Sequence, residues 1–211
     1  QPYRDEADAE RAVGLIFDTV PLRDGMRVLD VACGPGRHAR AFRKAGARCF
    51  GVDLSASLLR VARSVTDAPL VRADRRDRMI RPRSMDLTVN LFNSFGYFDR
   101  DEEHYATLVE MVSTVGTGGW FVIDLLNPSA VRAGLVPREV VRAGDSEAVV
   151  TRTISADGRY VCKTIKRAEG RGFVERVRLF EAGDISAMLL RAGIVIRRRF
   201  GDYDGQALSP S

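Results

Sequence analysis

The sequence predicts an α/β fold, a three-layer sandwich in which helices cover both faces of a mostly parallel sheet. Up to Pro128, short runs of β-branched residues and leucine alternate with amphipathic helical segments, the pattern of strands joined by helical crossovers. From about Pro137, polar and apolar residues alternate instead, which is typical of an antiparallel sheet with one solvated face. An antiparallel β insertion near the C-terminal third is therefore expected beside the parallel sheet.

The first half of the parallel sheet follows from hydrophobic spacing. Near the N-terminus, Val13, Ile16, Phe17 and Val20 recur every three or four residues, which indicates a helix with one apolar face. Two β-branched runs then indicate strands, and Ser55 is placed to cap the helix after the second. The predicted elements are helix 4–20, strand 27–32, helix 37–45, strand 48–54 and helix 55–65.

Three further strands complete the predicted parallel sheet. A glycine pair at 118–119 is expected to end the connection before the last of them. Because helical segments join the strands, the connections should be right-handed crossovers. The predicted elements are strand 69–73, strand 85–91, helix 102–115 with Asp101 as its cap, and strand 120–126.

Residues 137–180 are expected to form an insertion of three or four antiparallel strands. Asp157-Gly158 has the chemistry of a hairpin turn. The main domain would then comprise 1–136 and 181–211, and the insertion would serve as a lid or as the contact of a homodimer, since an exposed strand edge invites pairing. The later predicted elements are strand 148–155, strand 160–168, strand 174–180, helix 184–193 and strand 194–200.

Composition narrows the classes of protein to consider. The chain has 211 residues, of which 45% are hydrophobic and 29% charged, as in one globular domain. No run approaches the ~18 apolar residues of a membrane span. The three cysteines lack CxxC spacing, so neither disulfides nor a metal site is expected. This cysteine usage predicts a cytoplasmic location. The net charge is +5, but all except three of the 33 basic residues are arginines scattered along the chain, so nucleic acid is not the expected partner.

Acidic residues lie near the carboxyl ends of the first three predicted strands, the first of them inside its strand. Asp30, Asp53 and Asp74 stand there, beside the turn Gly34-Pro35-Gly36. Parallel strands end at one edge, where glycine lets backbone N–H groups approach a ligand. Asp53 suits ribose hydroxyls, and Asp74 suits the amine of adenine. Asp30 would repel a pyrophosphate but suits a sulfonium and an ammonium group, so the edge predicts a cationic nucleoside ligand.

Other interpretations stay open at this point. Asp30 could be a structural carboxylate that accepts loop N–H groups. Gly34, Gly36 and Ala39 fit the fingerprint G-x-G-x-x-A, with Asp53 at a suitable distance, as in an NAD-dependent oxidoreductase. The acids on the first and third strands and the late antiparallel block count against that enzyme. A noncatalytic cofactor-binding protein is a third interpretation.

Five segments carry a resemblance to a known family. The sequence is similar to the class I S-adenosylmethionine-dependent methyltransferases, which have a Rossmann-like fold, and it resembles a bacterial, small-molecule branch of them. The segment RAGIVIRRRFGDYDG looks like that family's penultimate strand and the loop beyond it. The five segments, in family order, are VLDVACGPGRHA, GVDLSASLLRVAR, VRADRRD, MDLTVNLFNSFGYF and GGWFVIDLLNP.

The resemblance implies where the methionine end of S-adenosylmethionine lies. Ala32, Gly34 and Gly36 would lie against the methionine part. Asn90 and Leu91, at the end of the fourth strand, would face the cofactor near its sulfonium.

The resemblance also implies a nucleoside subsite. Asp53 would hold the ribose, with Leu54 beside the adenine. Asp74 and Arg75 would flank the adenine ring, and Asp30 would order the glycine loop or attract the ammonium group.

Candidate catalytic residues follow the glycine turn and the fourth strand. Methyl transfer from a sulfonium needs alignment more than acid–base chemistry. His38 could act as a general base, although packing against the loop is the favoured interpretation. Asn93 and Tyr97 follow strand four, where the acceptor must approach, although a purely structural turn is equally compatible. His104 is expected at the surface or an interface.

The acceptor is expected to be a small molecule. After strand four the chain reads Asn90-Leu91-Phe92-Asn93, without the Asn/Asp-Pro-Pro-aromatic signature of enzymes that methylate base amines. No cysteine ends strand four or five, as a carbon-5 pyrimidine enzyme would need. An RNA or protein methyltransferase is the alternative. The family also closes its sheet with a last antiparallel strand, and 206–211 contain no apolar run for it. Since a missing strand would leave a gap in the sheet or strand 194–200 unpaired on one side, the given sequence is expected to stop short of that last strand.

Overall fold

The computed structural model shows two sheets, and the predicted α/β architecture is confirmed. No described helix combines the length and apolar character that crossing a membrane requires. The structure describes residues 6–74, 76–77, 80–143, 146–167, 170 and 172–208.

The larger sheet has five parallel strands in the order β3-β2-β1-β4-β5. Its central strands are buried on both faces, because Val28 joins one apolar cluster and its neighbour Leu29 the other. The strands are β1 Arg27–Val31, β2 Arg48–Asp53, β3 Leu70–Arg72, β4 Met85–Asn90 and β5 Val115–Ile123.

Helices cover both faces of this sheet, as predicted. Helices α1 and α2 supply Ile16 and Phe42 to the first apolar cluster, while α3 packs beside α2. Leu108 and Leu189, from α4 and α6, join the second cluster. The helices are α1 Glu6–Thr19, α2 Arg37–Lys44, α3 Ala56–Val65, α4 Asp101–Ser113, α5 Pro128–Ala133 and α6 Ala182–Arg191.

The smaller sheet is the expected antiparallel block, with four strands in the order β6-β7-β8-β9. The hairpin between β7 and β8 turns at Asp157-Gly158, as predicted, with Gly158 at φ 70° and the Asp157 carboxylate accepting the N–H of Arg159. The strands are β6 Arg138–Ala143, β7 Ser146–Ile154, β8 Tyr160–Arg167 and β9 Gly172–Arg178.

Arg178 fixes this block to the main domain. Its backbone N–H donates to the carbonyl of Gly96 (2.8 Å), in the segment after β4. Its buried guanidinium donates to Asp101 (3.3 Å) and Asp184 (3.2 Å) at the starts of α4 and α6, and to the carbonyl of Leu179. The end of β9 is thereby held against the segment that follows β4 and against the starts of α4 and α6.

Three local predictions differ from the structure. The fifth strand begins at Val115 rather than 120, because Gly118 takes φ 75° inside it and a register shift between Met85 and Leu87 absorbs the irregularity. Asp101 is the first residue of α4, and Arg100 occupies the cap position without a side-chain bond. Helix α5 was not predicted, although its signal is present, since Asn127 caps it from just before a proline.

The strand expected at 194–200 is wrong. Among the described residues, this segment makes no ladder, and only Phe200 forms an isolated bridge, with Ala207. β5 pairs with β4 alone, so the β-branched residues of 194–196 have no strand beside them. A run with strand propensity becomes a strand only where another strand completes its hydrogen bonds.

Candidate active site

The turn after β1 puts its backbone into left-handed conformations. Ala32, Gly34 and Gly36 have φ values of 60°, 54° and 85°, which glycine adopts without strain. A Cβ on Gly34 would meet nothing within 4 Å, whereas one on Gly36 would lie 3.0 Å from the Cβ of Ala62 on α3. Gly34 therefore leaves its backbone open to a ligand, and Gly36 lets α2 approach α3.

Asp53 connects the end of β2 to this turn. One carboxylate oxygen accepts the N–H of Gly34 and the other that of Ser55, both at 2.8 Å. Each oxygen keeps a further lone pair, so the fixed carboxylate can still accept two ribose hydroxyls. Leu54 beside it is 58% exposed, an apolar surface on which a flat ring can rest.

Asp30 lies beneath the turn and is 1% exposed. Its Oδ2 has no hydrogen-bond partner among the described atoms. Burial, and secondarily the charge of Asp53, raises the pKa of Asp30 to about 8, against the opposing effect of the Ala39 N–H. Asp30 thus accepts an N–H from the first turn of α2, just after the glycine turn, and also has a carboxyl oxygen that a cation would complete, so a structural role and a ligand-binding role are compatible.

The end of β4 supplies a second buried oxygen. Asn90 is fully buried, donates from Nδ2 to the carbonyl of Val31 (2.9 Å), and leaves Oδ1 without a partner in the described structure. Leu91 is buried with the first apolar cluster. Asn90 therefore offers a polar atom beside the glycine turn, and Leu91 offers apolar wall.

The third strand places Asp74 differently from the simple expectation. Its carboxylate accepts the backbone N–H of Arg76 (3.0 Å) and pairs with that guanidinium (2.6 Å). An adenine amine would therefore have to share this carboxylate with Arg76. Arg75, predicted beside it, lies outside the described residues.

These residues fit S-adenosylmethionine. An ammonium or sulfonium group complements the unpartnered oxygens of Asp30 and Asn90, and ribose complements the carboxylate of Asp53. The open backbone at Gly34 gives the methionine part close access. Burial keeps the pKa of the Cys33 thiol, in the same turn, well above its usual range, so this cysteine is a neutral packing residue.

The segment after β4 is strained and is held by Asp124. Phe92 and Asn93 both have positive φ, 53° and 56°, which costs energy for residues other than glycine. The Asp124 carboxylate accepts the Phe92 N–H (2.9 Å) and the hydroxyl of Tyr203 (2.6 Å). Asn93 is 9% exposed, its Oδ1 has no partner among the described atoms, and the residue lines a cleft. The strained backbone thus holds an unused, buried acceptor oxygen on a residue that lines the cleft.

Aromatic packing fixes both predicted histidines. The buried ring of His38 meets that of Phe92 edge-on, with centroids 4.3 Å apart, and His38 does not line the cleft. The predicted surface position of His104 is wrong. This side chain is fully buried, accepts the N–H of Phe98 (3.2 Å), and packs against Phe95 and Phe180, because this face of α4 meets β9 and the chain beyond it.

The cleft has a volume of ≈ 1710 Å³, and its lining divides into two groups of residues, called here its two arms. One arm consists of β5 residues such as Trp120 and of residues 193–199. The other arm, the acceptor arm, is lined by the antiparallel sheet and by the segment after β4, where Tyr97 donates to Glu175 (3.3 Å). Asn93, three residues after β4, lines the same cleft. Among the described residues, no group of three His, Cys, Asp or Glu side chains could hold a metal ion.

Sequence reasoning missed five side chains of this cleft. The sequence signal for these residues was limited to strand alternation and to isolated polar residues. Neither indicates which residues distant in sequence they contact. The missed residues are Asp124, Arg152, Lys163, Glu175 and Tyr203.

Comparisons with known proteins agree with this geometry. Residues 28–119 match the family described as a methyltransferase domain. The chain is 29% identical to the dTDP-3-amino-3,4,6-trideoxy-alpha-D-glucopyranose N,N-dimethyltransferase of Streptomyces venezuelae, over 96% of this chain and 88% of that protein.

Two crystal structures are similar along most of the chain. DesVI of Streptomyces venezuelae has a TM-score of 0.74 at 26% identity, covering 97% of this chain and 90% of that one. The sugar N-methyltransferase KedS8 of a Streptoalloteichus species has a TM-score of 0.65 at 27% identity, covering 91% and 81%.

These similarities favour neither an RNA or protein methyltransferase nor an NAD-dependent oxidoreductase. The family match begins in β1 and runs into β5, which takes in every strand end around the glycine turn. The relatives that align beyond this match are named as amino-sugar and sugar N-methyltransferases, and the fold, the site and the family match together support a class I S-adenosylmethionine-dependent methyltransferase.

Proposed function

We propose that the acceptor is the amino group of a nucleotide-linked amino sugar. The observation that carries this proposal is the alignment to the Streptomyces venezuelae dTDP-amino-sugar N,N-dimethyltransferase over 96% of the chain. That alignment includes the antiparallel sheet, the part that lies over the acceptor arm of the cleft. The polar wall of that arm, with Asn93, Tyr97 and Glu175, suits a hydrogen-bonding acceptor.

The proposed role of the protein is to align an amine with the methyl donor. Bound S-adenosylmethionine would supply an activated methyl group: the amine nitrogen would bond to the methyl carbon in line with the sulfur, the carbon–sulfur bond would break, and S-adenosylhomocysteine would leave. Asn93 Oδ1, unpartnered among the described atoms and held by a strained backbone, accepts an N–H of the amine and orients its lone pair. The ring of Phe92, which lines the cleft and packs on His38, excludes water from the approach. Tyr97 contacts the acceptor beneath the sheet, and His38 as general base stays a prediction.

An acceptor screen tests the proposal. The full chain, incubated with S-adenosylmethionine and a dTDP-linked 3-amino sugar, should give a product heavier by one or two methyl groups in mass spectrometry. The matched control is the dTDP-linked sugar with a hydroxyl at the same carbon, which should gain none. Methylation of bulk RNA or protein without methylation of the amino sugar would contradict the proposal.

We propose that 137–180 forms a separate unit that also joins two chains. The edge strand β6 exposes Val140 and Val141, and the opposite edge β9 exposes Phe173 and Val174, which are apolar groups suited to strand pairing. Size-exclusion chromatography with light scattering at micromolar concentration should report a dimer, and a monomer alone would exclude this contact.

We also propose a cytoplasmic location. Its support is that Cys33, Cys49 and Cys162 are free thiols, the first two buried, as in proteins of reducing compartments. Fractionation of the source cells should recover the protein with cytoplasmic markers, and recovery with exported proteins would contradict the location.

A further inference from the structure

Three charged side chains form one row across the antiparallel sheet. Arg152 on β7 is the register partner of Lys163 on β8, and Lys163 is the register partner of Glu175 on β9. Register partners lie on the same face of a sheet, and all three residues line the cleft. The row therefore forms part of the acceptor wall.

The charges along this row have an order relative to the point of methyl transfer. Strand β9 is bonded to the segment that carries Asn93, through Gly96 and Arg178, and Tyr97 of the same segment donates to Glu175. The acid thus lies on the strand that contacts the segment following β4. Lys163 lies one strand farther and Arg152 two strands farther, about 10 Å away at the usual strand spacing.

Both cations have carboxylate partners that lie within reach of solvent. Lys163 is 3.3 Å from Glu175, and Arg152 is 2.6 Å from Glu139 across β6 and β7. The Arg152 side chain is 15% exposed and that of its partner 35%. A phosphate oxygen entering the cleft can replace the carboxylate as the partner of such a cation. The arginine guanidinium binds phosphate through two hydrogen bonds, and lysine binds it as a point charge.

From this order we propose that Lys163 and Arg152 hold the diphosphate of the acceptor, while Glu175, with Tyr97, receives the amino end of its sugar. The inference rests on the proposed function and deepens it, because it fixes the direction in which a nucleotide-linked amino sugar lies. A dipolar molecule with an amine at one end and a diphosphate at the other matches a wall with an acid beside the transfer point and cations beyond it. The free amino sugar lacks the anchored end and is therefore a poor acceptor.

The test compares linked and free acceptors. In Arg152→Met and Lys163→Met, KM for a dTDP-linked 3-amino sugar should rise about 10-fold or more, the loss expected for a charge-assisted hydrogen bond. The preference in kcat/KM for the linked over the free sugar should fall by the same factor. Glu175→Gln should lower kcat/KM for both acceptors. Arg142→Met is the matched control, because this arginine of the same sheet is 79% exposed and does not line the cleft.

A second measurement needs no turnover. Calorimetry with dTDP alone should show binding to the wild-type protein and about 10-fold weaker binding to Arg152→Met and Lys163→Met, with S-adenosylhomocysteine affinity retained as evidence of folding. Equal dTDP affinity in wild type and variants overturns the inference. If the wild type methylates linked and free amino sugars equally well, the anchor is wrong while the proposed function stands. If it methylates neither, the proposed function fails, and dTDP binding alone decides the anchor.

Discussion

Replacing Asp30 by asparagine is expected to remove a loss of stability that the wild-type protein undergoes as pH rises from about 4 to about 8. The pKa of Asp30 is raised to about 8 in the folded protein, mainly by burial, whereas an unfolded aspartate titrates near 4. Between these values the folded state binds a proton that the unfolded state has released, so the free energy of unfolding falls with rising pH. Each unit of pKa corresponds to about 1.4 kcal/mol, which makes the full effect a few kcal/mol.

Chemical denaturation of both proteins from pH 4 to pH 9 measures this effect. The difference in unfolding free energy, variant minus wild type, should grow through this range and level off above about pH 8, where both states of Asp30 are ionised. Asp86→Asn is the control with the opposite sign. Hydrogen bonds from Arg27 lower the pKa of Asp86. The contribution of Asp86 to the free energy of unfolding is therefore present at neutral pH and is lost at acid pH. A difference between Asp30→Asn and wild type that stays flat from pH 4 to pH 8 would contradict the raised pKa.

A role in binding a cationic ligand would explain why the protein keeps an acid at position 30 that lowers its stability when no ligand is bound. A buried acid without a cation lowers stability at neutral pH, and such strain is found where a site is prepared for a partner. Asp30→Asn should therefore be a more stable protein that binds S-adenosylmethionine more weakly at pH 8. If Asp30 instead stabilised the fold, Asp30→Asn would lower the free energy of unfolding at neutral pH.

The sequence predicted the parallel sheet well, for a physical reason. Strands buried on both faces are continuous apolar runs, and parallel strands all end at one edge, so Asp30, Asp53 and Asp74 could be placed together from spacing alone. What it could not predict depends on pairing between distant segments. The start of β5 depends on a register shift against β4, and 194–200 depends on a neighbouring strand.

The wall of the acceptor arm could not be predicted from the sequence either, because it too depends on pairing between distant segments. Alternation placed Arg152, Lys163 and Glu175 on strands, but their common row exists only because of the register of three antiparallel strands. Asp124 and Tyr203 are 79 residues apart and meet through one hydrogen bond. No local pattern encodes such a contact, which is set by tertiary packing.

Asp53→Ala is expected to weaken binding of S-adenosylhomocysteine by about 5- to 150-fold, which corresponds to the roughly 1–3 kcal/mol of hydrogen bonds to a charged group. The carboxylate is already oriented by the N–H groups of Gly34 and Ser55, so ribose hydroxyls would bind without ordering it. Isothermal calorimetry measures the change. The control is Asp67→Ala, an exposed carboxylate paired with Arg43, which should leave the affinity as in wild type.

A cofactor analogue separates the two ways in which Asp53 can act. If the carboxylate binds ribose, Asp53→Ala should weaken S-adenosylhomocysteine far more than its 2′,3′-dideoxy analogue, because the analogue has no hydroxyls to lose. If it acts by holding the N–H of Gly34, both ligands should weaken alike, since the glycine turn would relax for either. The difference between the two losses is a coupling energy between carboxylate and hydroxyls. A value near zero would move Asp53 from ribose binding to support of the turn.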